Sequence, residues 1–297
     1  MYETIMQCDP EVIRFKKEKT EKTLAGIRQL PSIPKVLFEV TKHLNSPTVQ
    51  PNKLAELISK DQGLTTRLLA IANSPLYGIK RKVASLDFAV LILGTQEIKD
   101  IVTALSLVDS FGAQSDPNFD PMEFWIHSMV VGSAAKSISQ SLGFQFGSDA
   151  FVSGILHDLG IMVTYKFLPK QFKEIITLAK NNPGKMLESE LEVLGLTHQE
   201  VGRFLADKWA LPLPLCEALN FHHTPTMAVE CREIPAVIHL CDYMTQRFNI
   251  GTFYWDAGME LDKSVMTTLR IDSEEELETL INSYEEDFKV TVESIKL

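Results

Sequence analysis

Five of the seven histidines in this 297-residue chain can be combined with two aspartates into a single metal-binding constellation. In order they are His127, the doublet His157-Asp158, His198, the doublet His222-His223, and Asp242. Imidazole nitrogen and carboxylate oxygen are donors that Zn, Fe, Mn and Ni accept. The donors are spread too widely for a short metal-binding loop, so a preformed fold must bring them together.

The local pattern predicts that helices point these donors inward. His127 lies in FWIHSMVVGSAAKSI, where Val130, Val131, Ala134, Ala135 and Ile138 follow at helical spacing on the same apolar face. Glu123, one turn earlier, shares that face and could be a further ligand or orient the ring. His157 and Asp158 fall in VSGILHDLGIMV. As neighbours on one helix they project about 100° apart and reach two sides of one site, where the carboxylate could bridge two metals. Thr197 and Glu200 read as a capping box, placing His198 in the first turn of a helix, with Gly202 leaving room beside the ring. His222 continues the apolar face of Leu215, Ala218 and Leu219, and Pro225 stops that helix just after His223. Asp242, four residues after Ile238 on a helix that begins near Pro235, puts a carboxylate where a core residue is expected.

Taken singly, each histidine could be an interior residue satisfied by hydrogen bonds. Taken together, five imidazoles and two carboxylates on inward faces are costly to bury without a shared cation. The remaining histidines stay outside the set: His43 reads as a surface residue, and His239, three before Asp242, as support or core.

The elements that must position these donors are helical. Leu54, Leu57 and Ile58, and again Ile98, Ile101, Val102 and Leu105, recur at three and four, and no alternating run reads as a strand. Leu30-Pro31-Ser32-Ile33-Pro34, Asn73-Ser74-Pro75 and Asn181-Asn182-Pro183-Gly184 interrupt the pattern. The stretch FGAQSDPNFDP, 111–121, marks the best boundary. The expected organisation is all-α: an N-terminal helical extension over 1–22, a first helical lobe over 23–115, a lobe carrying the ligands over 116–249, and appended helices over 250–297. In the last segment Ser273 and Glu276 form a capping box before Leu277, Leu280, Ile281, Tyr284 and Phe288, and the acidic run from Glu274 to Glu278 is a solvated face.

Composition narrows the partners. A 45% hydrophobic content supports a sizeable core, and 39 acidic against 29 basic residues, net charge −10, disfavour a phosphate-backbone binder. Nucleic acid is not an expected partner. Cys8, Cys216, Cys231 and Cys241 lack CxxC spacing and read as small hydrophobes in a reducing compartment. The N-terminus has no apolar signal core, and no apolar run approaches the roughly 20 residues of a membrane span, so a cytoplasmic location without membrane contact is expected.

The order His, His-Asp, His, His-His, Asp resembles the HD phosphohydrolase superfamily, and within it the HD-GYP phosphodiesterases, whose helical fold holds two or three metals. A sharper resemblance lies in LPSIPKVLFEVTKHLNSP, AELISKDQGLTTRLLAIANSPLYG and VASLDFAVLILG, with HQEVGRFLADKWALP and ALNFHH further on. Over roughly Thr23 to Phe248 these segments look like the HDOD family, the HD-related output domains of bacterial signalling proteins. The resemblance implies a two-lobed helical architecture with an HD-like second lobe. It also brings a departure. HD-GYP proteins carry a lysine three residues after the doublet aspartate, and here that position is Ile161; the HHE continuation and the Gly-Tyr-Pro motif are missing too.

Two functions are therefore expected. The first is a signal-transduction output module, non-catalytic or weakly catalytic, with a retained site for one or two divalent transition ions (Fe, Mn, Zn or Ni) and a regulatory protein partner. No input domain is legible, so the signal would arrive by association. The second is a metal-dependent phosphohydrolase acting on a nucleotide or cyclic dinucleotide. Lys166, Lys185 and Arg203 are the candidates to replace the missing lysine at a phosphate ligand, though each also fits a solvated surface role.

Overall fold

In this computed structural model the described residues are 10–27, 50–79, 81–109, 112, 117–182, 184–250 and 257–296. Cys8, His43, the 30–47 motif and residues 111 and 113–116 of the 111–121 boundary lie outside them. Among the described residues the regular elements are helices and no strand is present, as the apolar spacing predicted. Among the described residues no single helix is long and apolar enough to cross a membrane.

The first half contributes α1 (Pro10–Ala25), α2 (Pro51–Ser59), α3 (Gln62–Asn73), α4 (Leu86–Leu93) and α5 (Thr95–Asp109). Asp61 and Ser85 cap α3 and α4 by accepting from the backbone of Leu64 and Phe88. Asn73 shows why the Asn73-Ser74-Pro75 joint is built as it is. Its amide donates to Val83 O and its oxygen accepts from Val83 N, both at 2.8 Å, pinning the chain across the short Pro75–Tyr77 turn.

The second half is built around α6 (Pro121–Ser141), buried on nearly every side and capped by Asp120. Around it lie α7 (Gly147–Leu156), α8 (Leu159–Phe167), α9 (Pro169–Asn181), α10 (Met186–Leu194), α11 (His198–Lys208), α12 (Leu213–Phe221) and α13 (Glu233–Arg247), followed by α14 (Ser264–Leu269), α15 (Glu274–Ser283) and α16 (Glu285–Lys296). The helix α7 can lie against α6 because two glycines meet there: a Cβ on Gly154 would stand 2.5 Å from Gly132 Cα. The apolar positions from Leu277 to Phe288 are shared by two helices, α15 and α16, because the chain turns at Tyr284. Ser273 accepts from Glu276 N as expected, while the Glu276 carboxylate accepts from Asp272 N rather than from Ser273.

The ends of the chain bind the halves together. Thr20 of α1 donates to Leu194 O at 2.8 Å and Lys17 pairs with Glu200 at 2.7 Å, so α1 rests on the ligand-bearing half. From the other end, α16 returns to the first half, with Phe288 buried and Thr291 in a 2.9 Å hydroxyl pair with Ser74. Between the halves, Glu97 of α5 accepts from Lys136 of α6 at 2.6 Å, from Ser148 of α7 at 3.2 Å and from the Tyr77 hydroxyl.

Candidate metal centre

Five helices deliver the seven predicted donors to one place. His127 comes from the second turn of α6 and Asp242 from the third turn of α13. His198 opens α11 behind the expected Thr197–Glu200 capping box, and His222-His223 follow the end of α12. The doublet departs from expectation. The helix α7 ends at Leu156, His157 caps it in helical conformation (φ −53°, ψ −41°), and Asp158 leaves the helix (φ −91°, ψ 14°) before α8 begins. The turn sends α8 against the start of α11 so closely that a Cβ on Gly160 would lie 1.9 Å from His198 O. The room at Gly202 is likewise taken by the Gly160 backbone and Leu219, each 3.4 Å from where its Cβ would be, rather than left beside the His198 ring.

The donors meet in two groups that share Asp158: Asp158, His198, His222 and His223 in one, His127, His157 and Asp158 in the other, with ligand atoms in each within 4.8 Å of one another. Asp158 spans them. Its Oδ2 lies 3.5 Å from His127 Nε2 and 3.4 Å from His157 Nε2, its Oδ1 3.5 Å from His198 Nε2 and 3.6 Å from His222 Nε2. Asp242 closes the opposite side, 3.4 Å from His127 Nε2 and 4.0 Å from His223 Nδ1. Glu123 is half-buried and belongs to neither group.

The other nitrogens of these rings explain their orientation. His157 Nδ1 donates to Gly154 O at 2.7 Å, and His222 Nδ1 donates to the carbonyls of Ala218 and Leu219 at 3.2 and 3.1 Å. A carbonyl accepts only from an N–H, so the proton sits on Nδ1 and each Nε2 turns a lone pair to the centre. His239 acts one step back: it donates to His222 O at 2.7 Å and accepts from Asp262 N at 2.9 Å, which makes it the support anticipated for it. The sequence reading missed Glu190. This carboxylate accepts from His198 Nδ1 at 2.9 Å and from His198 N at 2.8 Å, aiming Nε2 at Asp158. Its only signal in the sequence was a glutamate on the otherwise apolar face of SELEVL.

Burial governs the charges. It holds His127 down to about 3, helped by His157 and opposed by Asp158, and with the neighbouring imidazoles it keeps His222 and His223 well below the ordinary range. At His198 burial works against the charge, yet Glu190, backed by Asp158 and Asp242, raises it to about 9. Burial and then Asp158 push Asp242 well above the usual carboxylate range, with His198 pulling the other way.

A divalent cation fits this arrangement. Among the described residues both oxygens of Asp242 are fully buried and accept no hydrogen bond, and the carboxylate can carry its charge there only beside a positive partner. Imidazole pairs face each other Nε2 to Nε2 at 3.1–3.2 Å, a spacing at which two lone pairs repel unless a proton or a metal lies between them. A phosphate finds less support. Ile161 is buried at 1% exposure, Lys166 and Lys185 are exposed, and Arg203 is engaged by Asp207 at 2.9 Å on the outer face of α11.

Comparison with known proteins agrees with this layout. An uncharacterized protein of Treponema pallidum (strain Nichols) is 26% identical over 267 residues, 89% of this chain, and the chain spans about half the length of that relative. Among solved structures, an HDOD domain protein of unknown function from Geobacter sulfurreducens superposes with a TM-score of 0.76 at 24% identity, covering 95% of this chain and 99% of that one. A candidate phosphohydrolase from Shewanella amazonensis SB2B gives 0.68 at 22% identity, covering 92% and 97%. The HDOD domain family itself matches residues 30–225, from the Pro-rich opening of the first half through the His222-His223 doublet; the chain belongs to the HDOD family.

Proposed function

We propose that this protein is a signal-transduction output module whose buried centre holds one or two divalent transition ions, Fe, Mn, Zn or Ni, as a stabilising or sensing element rather than as a hydrolytic machine. His127, His157, Asp158, His198, His222, His223 and Asp242 would hold the metal, and a regulatory protein would read the folded, metal-loaded surface. The observation that carries this reading is the depth of the donors: six of the seven have no exposure, and the position that holds a phosphate-binding lysine in HD-GYP relatives is the buried Ile161. A metal bound only by the folded state stabilises it by mass action.

One observation favours the alternative, a metal-dependent phosphohydrolase acting on a nucleotide or cyclic dinucleotide: Asp158 straddles the two donor groups, as a carboxylate shared between two metals does. Metal analysis of protein purified without chelator, followed by a phosphodiesterase screen on the same sample, separates the two. Bound metal with little or no turnover is expected. Asp158→Ala should lose metal and lower Tm, while His43→Ala should alter neither. Robust hydrolysis by the unmodified protein, abolished by Asp158→Ala, would establish the enzyme instead.

A further inference from the structure

Of the seven donors, only His223 has any exposure, 8%. It faces a cavity of about 240 Å³, whose wall also carries His239, Glu188, Glu260 and the glycine pair Gly184 and Gly258. The volume lies below the roughly 300–1,000 Å³ of pockets that enclose small organic ligands. The glycines form a tight edge: both have positive φ, and a Cβ on Gly258 would stand 3.0 Å from Gly184 Cα. The charged groups lining the cavity are carboxylates, Glu188 half-buried and Glu260 exposed, and among the described residues no lysine or arginine lines it. The two histidines of the wall differ in freedom. His239 is fixed at both nitrogens, by His222 O and Asp262 N. The His223 ring touches His198 Nε2 at 3.2 Å and lies 4.0 Å from Asp242, and among the described residues no carbonyl holds it.

We propose that this cavity is the inlet of the metal centre, that His223 is its inner door, and that Glu188 and Glu260 make it a port for cations which turns phosphodiesters away. A narrow, low-dielectric passage lined by one sign of charge concentrates ions of the opposite sign and repels its own. A divalent ion meets two carboxylates, then His223, the one donor ring that reaches the cavity, then the fully buried donors behind it. A cyclic dinucleotide meets the same carboxylates with two phosphates of its own, in a space too small to enclose it. The inference rests on the metal-centre reading and gives that reading a direction of access.

The test is the rate of metal uptake. Protein stripped with a chelator and freed of it is mixed with Zn²⁺, and uptake is followed by stopped flow against a zinc indicator at low and high salt. The double variant Glu188→Gln/Glu260→Gln should take up zinc about tenfold more slowly at low salt, the lower end of electrostatic steering. The difference should vanish at high salt, and final stoichiometry and loaded Tm should match the parent. Ala257→Trp, which plugs the cavity without changing charge, should slow uptake and chelator-driven release alike at both salt concentrations. Uptake indifferent to both variants would overturn the inlet. A lower final stoichiometry in the double glutamine variant would also overturn it, by making the glutamates ligands rather than guides. Parent protein that binds no zinc would instead remove the metal centre, and the inlet with it.

Discussion

At His157 and His222 the ring proton is already committed to a backbone carbonyl, so what each offers the centre is a bare lone pair. His198 obtains its orientation from a carboxylate instead, and Glu190→Gln is the sharpest single-residue test of that arrangement. The amide keeps the shape and can still accept from His198 N, but removes the charge. Metal affinity should fall by about 10–100-fold, the usual effect of losing a partner behind a ligand, as read by competition with a chelator of known affinity. At Ile161 the outcome runs the other way from a repair. A lysine there would restore phosphate affinity only if the site were open, and with the side chain buried it places an ammonium in the core. Ile161→Lys should therefore destabilise the protein by about 3–5 kcal/mol, the range for an unpaired buried charge, measured by urea unfolding, with no gain in phosphate binding.

The elements meet at glycines, and there the geometry of the centre is set. The helices α8 and α11 touch through Gly160, whose absent Cβ leaves space for His198 O, whereas Gly202 faces neighbours at ordinary 3.4 Å contact. Gly160→Ala must separate the two helices and with them Asp158 from His198, lowering both Tm and metal content. A stability loss of about 3 kcal/mol, the upper end for overpacking, is expected. Gly202→Ala should be mild by the same measures, which makes the pair an internal control. This contrast also marks how far the sequence could be read. The donor types, their order and the inward faces of α6, α12 and α13 follow from 3.6-residue spacing, and the capping box at Thr197 fixed the start of α11. The break between His157 and Asp158 did not follow, since VSGILHDLGIMV is mainly apolar on both sides of the doublet and carries no proline to announce a turn. Glu190 stayed hidden because a glutamate in a short acidic helix looks solvated until its partner, eight residues on, is folded against it. Gly160 gave no sign that its hydrogen was being used.

The whole molecule is closed by its ends and by one charged joint. Lys136 of α6 is nearly buried, bonded to Glu97 and set 4.0 Å from the centre of the Tyr77 ring. Beside it, burial and then the Glu97 charge raise Asp100 to about 6. A carboxylate whose folded value lies above its unfolded one adds stability while protonated. That contribution is complete below the unfolded value near 4 and disappears as pH rises through 6. Asp100→Asn fixes the neutral form and can still accept from Gln96. Its Tm should equal the parent's at pH 4 and exceed it at pH 8, so an equal gap at both values would remove Asp100 as the source.

The seven donors come from five helices, and the last of them, Asp242, lies beyond the stretch that matches the family. A growing chain that has made His127 and the doublet has one group of donors but no Asp242 to close it, and α13 must still pack before the geometry exists. A metal held by these seven donors would therefore not nucleate the fold as it nucleates a zinc finger. On the proposed reading it would arrive as cargo in a finished shell, and the protein's history would have two clocks, one for folding and a later one for loading. A cell short of metal would accumulate intact, empty molecules rather than unfolded ones, and the loaded fraction would record the metal supply at the time each molecule matured.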